Sequence, residues 1–224
     1  MINYTDYIVF DFETSGLSNI TDHAVSLAGK AYNARSLQAY PVEQGGEFAS
    51  FMKPPDIEKI DFKSRAFQVN HITREQLEVA PDQSVVWNQF IQWVGKFNPK
   101  GTQWMAPIAC GKNIRNFDMG FVEQLNLRHS PKKDKTVLFN KRTIVDLEDL
   151  MFTWFENESD PPKHNMDELR GYFGLSKDGA HSAVVDVQQT GALIMKFLSL
   201  HRVIQKKQIV KFKGAFASVS VGGI

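Results

Sequence analysis

The chain has 224 residues, enough to bury one good core without demanding a second domain, and its 42% hydrophobic content is ordinary for a globular protein. A single cysteine, Cys110, excludes an internal disulfide and any multi-cysteine zinc site, and no stretch reaches the ~20 consecutive apolar residues of a membrane helix. The formal net charge of +1 is too small to mark a polyanion partner by bulk electrostatics, so such a role would have to rest on local charge clusters.

Asn3-Tyr4-Thr5-Asp6 is not the basic-then-apolar opening of an export signal, and a cytoplasmic protein is expected. The apolar run Tyr7-Ile8-Val9-Phe10 predicts a buried strand that ends at Asp11-Phe12-Glu13-Thr14. Side chains two apart on a strand share a face, roughly 6.5 to 7 Å apart. Asp11 and Glu13 would therefore repel and desolvate each other unless a cation sits between them, and a divalent metal is the simplest remedy. An Asp-x-Glu pair also recurs by chance, so its meaning depends on acids further along the chain.

Residues 24–29 with 31–32 read as a second strand and 46–52 as a third, closed by Pro54-Pro55, so that the first three strands form a meander. Val86, Phe90, Trp93, Val94 and Phe97 form a helical stripe that ends before Pro99 and Gly101, and core packing accounts for its aromatics better than base stacking does. A fourth strand is expected over 104–110, with Cys110 as a small core residue. Asp118 falls near the start of the helix marked by Met119, Phe121, Val122 and Leu125, where the helix dipole favours an acid whatever the protein does. Thr143 to Val145 predicts a short fifth strand, Leu147 to Phe155 a helix, and Asn165-x-x-Glu168 the capped start of another.

Gly179-Ala180-His181-Ser182 then leads into an apolar stripe at Val187, Thr190, Leu193, Ile194, Phe197 and Leu198, a long helix expected from about Ser182 to near Ile204. Positions five apart differ by roughly 140° around a helix, so His181 belongs on the loop or first turn and Asp186 one turn in. Basic residues cluster at Arg128 to Arg142 and at Arg202 to Lys213, either as solvated faces or as phosphate contacts. Residues 212–224 lack helical period. The expected organisation is one unit over 1–204 and a tail over 205–224 that adds a strand, binds a partner or stays flexible. Strands alternating with helices after a meander argue for a mixed sheet with helices on its faces.

Taken in order, Asp11 with Glu13, then Asp118, then His181-x-x-x-x-Asp186 resemble the three motifs of the DEDD superfamily of 3′→5′ exonucleases, in the His subclass that includes the DNA polymerase III epsilon-like proofreading exonucleases. The resemblance runs from about residue 6 to 200. Asn70-His71-Ile72-Thr73 is similar to the family's His-Gly-Ile-Thr segment, Ile144-Val145-Asp146-Leu147 to its Asp-Thr-Leu strand end, and Leu169-x-x-Tyr172-Phe173-Gly174-Leu175 to the helix before the third motif. Two departures stand out: Lys112-Asn113 replaces the usual His-Asn pair, and His71 lacks the following glycine.

The resemblance implies a ribonuclease H-like α/β fold with a mixed five-stranded sheet flanked by helices. It further implies two divalent ions, Mg2+ or Mn2+, bridged by Asp11, with Glu13 and Asp186 at the ion that binds the attacking water, Asp118 completing the cluster and His181 as general base. Phe12, Thr14, Gly16 and Leu17 would receive the terminal nucleotide, Leu17 as an apolar wedge, with Asn113 and Phe117 in the same cleft and His71 as a further substrate contact; core packing is the other reading of Leu17 and Phe117. The implied reaction releases nucleoside 5′-monophosphates from single-stranded or frayed 3′ ends, DNA favoured over RNA, with a polymerase or other replication protein as partner and no membrane. The alternatives are an exoribonuclease or a binding module of the same fold that has lost catalysis. An endonuclease of that fold is disfavoured by the His181-x-x-x-x-Asp186 pattern.

Overall fold

The computed structural model describes residues 5–130, 137–178 and 182–207. Five strands, β1 (Tyr7–Thr14), β2 (Ala24–Tyr32), β3 (Glu47–Phe51), β4 (Ile108–Gly111) and β5 (Ile144–Asp146), form one sheet in the order β3-β2-β1-β4-β5. The first three are an antiparallel meander, whereas β4 and β5 add in parallel on the other side of β1. Among the described residues seven α-helices accompany them: α1 (Arg65–Asn70), α2 (Arg74–Glu78), α3 (Gln83–Gly95), α4 (Asp118–His129), α5 (Leu147–Phe155), α6 (Met166–Phe173) and α7 (Ala183–Lys207).

Alternation along β1 sorts the two sides of the molecule. Ile8, Phe10 and Phe12 pack with Trp87, Phe90, Phe121 and Val122 of α3 and α4, while Val9 packs with Leu147, Met151, Leu169, Val187 and Ile194 of α5, α6 and α7. Asp11 and Glu13 continue the Val9 side. The strand ends where expected: pairing of Asp11 with Ala28, Phe12 with Leu27 and Glu13 with Ser26 carries it through the two acids to Thr14, with an irregularity between Glu13 and Thr14.

β2 runs unbroken through Gly29, where an added Cβ would stand 2.9 Å from Trp93 Cζ3; close approach of the α3 indole requires the glycine. Trp87, Phe90 and Trp93 are all buried, so these aromatics belong to the core. β4 begins at Ile108 rather than at residue 104. Trp104, 48% exposed, precedes it in a turn with the Arg142 guanidinium 4.5 Å from its ring centroid. Cys110 is fully buried, and burial pushes its thiol up beyond the usual range. α5 has the expected bounds, and Asn165 caps α6 by accepting the Glu168 N–H at 2.9 Å.

α1 and α2 have no counterpart in the expected elements. At six and five residues they are too short to display a period, although Thr73 opens α2 with a reciprocal capping box to Gln76. α7 lies across β1 and β2 and extends through Lys207, past the expected end near Ile204. Residues 208–224, most of the expected tail, lie outside the described residues, as do Lys132, Lys133 and Lys135 of the first basic cluster. Among the described residues no helix is long and apolar enough to cross a membrane.

Candidate active site

The second half of β1, the start of α4 and the first turn of α7 meet at one end of the sheet. Asp11 and Glu13 project from the same face of β1 and Asp186 from the first turn of α7, where its N–H donates to Ser182 O at 2.9 Å. One carboxylate oxygen from each of Asp11, Glu13 and Asp186 lies within 4.8 Å of the others. Asp118, the first residue of α4, is buried beside them, and its Oδ1 accepts the N–H of Phe12, the residue between Asp11 and Glu13, at 3.1 Å. Asp118 therefore adjoins the trio through the backbone of β1 and is not itself one of the three converging donors.

Electrostatics at this end of the sheet are those of acids short of a counter-charge. Burial, then repulsion from Asp118, Glu13 and Asp186, holds the Asp11 carboxyl well above the usual carboxylate range, with Lys112 pulling the other way. Burial, then Asp186 and Asp118, pushes Glu13 up to about 8. Asp118 is raised by burial to about 7 against the downward pull of its backbone hydrogen bonds, including that from Phe12. The donors are all carboxylate oxygens, which suits a hard divalent ion of the Mg2+ or Mn2+ type, and such an ion would relieve the repulsion.

Two clefts open beside Glu13. One, of about 460 Å³, is lined by Thr14, Gly16, Leu17, Val69, Asn70 and Phe117 among others. Leu17 is 87% exposed at its rim, which rules out the core reading for that side chain. Phe117 serves both readings, since it lines the cleft and packs on Phe121 with ring centroids 5.2 Å apart. Phe12 borders the cleft but buries its ring between Trp87 and Phe121, so the backbone is what it has to offer there. Asn70 braces the floor by donating to Thr14 O at 3.3 Å. An added Cβ at Gly16 would stand 2.4 Å from Asp22 Oδ2, so that carboxylate would have to move to admit a side chain there.

The second cleft, of about 290 Å³, is lined by His71, Ile72, Ser182 and Val184. His71 borders this second cleft and not the one at Leu17, and it stands in the αL turn at φ 57° that ends α1. Asn113 lines neither cleft. It occupies the turn after β4 at φ 54°, and its N–H donates to Asp146 Oδ1 at 2.7 Å. His181 lies outside the described residues, which resume at Ser182.

Sequence reasoning missed two residues here. Asp146 caps α5 through the Glu148 N–H (3.0 Å) while also accepting N–H bonds from Asn113 and Arg115 (3.1 Å for the latter), and so shapes the turn that delivers Asp118. Its position at the end of a strand-to-helix junction was a usable signal. Arg170 of α6 is fully buried and ion-paired with Asp186. No local pattern marks it, because an arginine on a short amphipathic helix reads as a surface residue.

Residues 8–194 match the family model RNase T, described as an exonuclease. DNA polymerase III PolC-type proteins of Staphylococcus epidermidis and Staphylococcus aureus are each 26% identical over 197 residues, a match that takes in 86% of this chain and 11% of theirs. The chain thus spans only a small part of the curated relatives it matches. Among solved structures, exonuclease I of E. coli in complex with a dT13 oligonucleotide superposes with a TM-score of 0.66 at 14% identity, over 97% of this chain and 46% of that one. Exonuclease I from Methylocaldum szegediense gives 0.64 at 18%, over 95% and 43%. Cell-death related nuclease 4 gives 0.64 at 15%, over 88% and 65%. These likenesses establish the fold as the ribonuclease H-like α/β architecture of the exonucleases.

Proposed function

Because the chain belongs to the RNase T exonuclease family, we propose that it is a metal-dependent 3′→5′ exonuclease that releases nucleoside 5′-monophosphates from single-stranded or frayed ends, DNA in preference to RNA. The observation that carries this reading is the convergence of the Asp11, Glu13 and Asp186 carboxylates within 4.8 Å, with Asp118 held against the same strand.

In this reading Asp11, Glu13, Asp186 and Asp118 would hold two divalent ions of the Mg2+ or Mn2+ type, with Glu13 and Asp186 on the side of the attacking water and Asp118 completing the set. Ions held there would lower the pKa of that water and neutralise charge on the leaving oxygen. An imidazole nitrogen of His181 takes the proton of the attacking water, a role suited to a side chain whose ordinary pKa leaves it neutral near pH 7. Attack at phosphorus places the new oxygen on the terminal phosphate and expels the 3′ oxygen of the shortened strand, so the product carries a 5′-phosphate. The terminal nucleoside enters the cleft of Thr14, Gly16, Leu17 and Phe117, and exposed Leu17 wedges against its base without reading sequence. His71, on the other side of Glu13, and Asn113, in the turn before Asp118, serve the substrate from outside that cleft.

The preference for DNA is supported by the PolC-type relatives, named as DNA polymerases, and by the oligonucleotide bound in the exonuclease I neighbour. The same relatives carry the matching segment inside a much longer polymerase chain, which supports a replication protein as partner and a cytoplasmic site of action. Residues 1–204 form the catalytic unit in this proposal and 205–224 an appendage to it.

A time course with 5′-labelled DNA and RNA oligomers in Mg2+, beside a circular single strand, tests the reading. Stepwise shortening of the linear DNA, an intact circle and an inert Asp11→Ala variant are expected. Cleavage of the circle, or equal rates for the variant and the parent, would overturn it; faster loss of the RNA would assign the site to RNA ends instead.

A further inference from the structure

Arg170 has a side chain with no solvent exposure. A guanidinium stripped of water is tolerated only where its N–H donors find acceptors and its charge finds an anion. Nη2 donates to Asp186 Oδ1, Nη1 to Asp167 Oδ1 at 2.8 Å, and Nε to Gln189 Oε1 at 2.6 Å. Gln189 in turn donates through Nε2 to Ser176 O at 2.7 Å. Asp167 lies three residues before Arg170 on α6, and Gln189 three residues after Asp186 on α7. One planar cation thus ties the turn that carries Asp186 to the neighbouring helix and to the segment that follows it.

Resting on the reading of Asp186 as a metal ligand, we propose that Arg170 is a positioning residue for the metal site. It commits Oδ1 of Asp186 to the guanidinium, so that the carboxylate meets a cation through one oxygen held in a fixed direction. Repulsion from Asp11 and Glu13 works to turn Asp186 outward before any ion arrives, and the guanidinium opposes it. The opposing charge comes from α6, on the side of Asp186 that carries Oδ1. A lysine cannot reproduce the arrangement, because an ammonium is a point charge without the planar fork that addresses Asp186, Asp167 and Gln189 together.

The test is calorimetric titration of Mn2+ into the full metal-free chain, in the parent and in the Arg170→Lys, Gln189→Met and Asp186→Asn variants. The parent should bind Mn2+ and Asp186→Asn should bind it much more weakly. Arg170→Lys should lose about tenfold or more in Mn2+ affinity, as expected for a partner one shell out from a ligand, while retaining a cooperative melt in EDTA. Its kcat should recover towards the parent value at saturating Mn2+, unlike that of Asp186→Asn. Gln189→Met keeps the charge but frees Nε, and a smaller loss of affinity is expected. If Arg170→Lys does not fold, Gln189→Met decides. Unchanged Mn2+ affinity in folded Arg170→Lys, or in Gln189→Met where only that variant folds, would overturn the role of Arg170 alone. A parent that binds no Mn2+, or an Asp186→Asn variant that binds it normally, would overturn the underlying metal reading instead.

Discussion

Replacing Asp118 by asparagine should make the metal-free protein more stable while destroying its activity. The amide retains an acceptor for the Phe12 N–H, now bonded at 3.1 Å, and removes one buried negative charge from beside Asp11. In the folded chain the Asp118 carboxyl is raised by burial from its ordinary 3.8 to about 7. At ~1.4 kcal/mol for each tenfold change in a proton equilibrium, that interval sets a ceiling of about 4 kcal/mol on the cost of ionising it in the fold. Desolvating the new amide lowers the expected net gain to ~2 to 3 kcal/mol, a rise of roughly 5 to 10 °C in Tm for a chain of this size. Below about pH 4 both folded and unfolded Asp118 are protonated, and the variant gains nothing. Between there and pH 7 the unfolded chain gives up its proton at this position while the folded one keeps it, so the parent loses more stability as pH rises than the variant, in which only Asp11 and Glu13 still do so. Above pH 7 the full difference remains. Melting curves at pH 4 and pH 8 in EDTA, repeated with excess Mg2+, measure the effect, and Mg2+ should reverse the ranking by binding the parent more tightly. A variant that melts at or below the parent at pH 8 in EDTA, or whose advantage is as large at pH 4, would refute the electrostatic account.

Four further outcomes are expected. Because the folded Glu13 carboxyl is raised to about 8, a cation must displace its proton at neutral pH; calorimetric Mn2+ affinity should climb from pH 6.5 to about 8 with proton uptake by the buffer, then level off, and a flat profile would contradict this. His181→Ala should lower kcat by about 100-fold or more, within the range of a lost general base, and leave the Mn2+ Kd unchanged. Leu17→Ala should raise KM for oligonucleotides about 5- to 50-fold, a loss of ~1 to 2 kcal/mol of base contact, without moving Tm, since the side chain is 87% exposed. Gly29→Ala should cost ~1 to 3 kcal/mol in urea unfolding, because the new methyl would stand 2.9 Å from Trp93 Cζ3 in a packed core.

The site was legible in the sequence to the extent that its parts are local. Asp11 and Glu13 announce a shared face by spacing alone, and Asp118 announces a helix start by the stripe that follows it; both placements hold, although Asp118 stands beside the converging trio rather than within it. α5 was legible to the residue, because its apolar run begins directly after an acid that caps it. α1 and α2 were not, being one or two turns long, and the αL turn at His71 is held by a bond of the Ile72 N–H to buried Asn70 Oδ1 at 3.0 Å, which no period announces.

The residues that hold the acids in place were illegible for a different reason. Phe12 is a core aromatic whose N–H fixes Asp118 across 106 residues of chain, and Asp146 is a helix cap that also fixes the turn at Asn113 across 33. Arg170 reads as solvent-facing, yet it neutralises the third acid from the next helix. Sequence spacing reports what one element presents, whereas these contacts depend on which elements are neighbours, and that follows from the sheet order β3-β2-β1-β4-β5. The parallel addition of β4 to β1 brings the start of α4 against the backbone at Phe12, and the crossing of α7 over β1 and β2 brings Asp186 to Glu13 with α6 behind it. Two of the four acids thereby meet donors that the topology supplies, Asp118 the Phe12 N–H and Asp186 the Arg170 guanidinium, while burial and mutual repulsion keep Asp11 and Glu13 raised, a charge that a cation would offset.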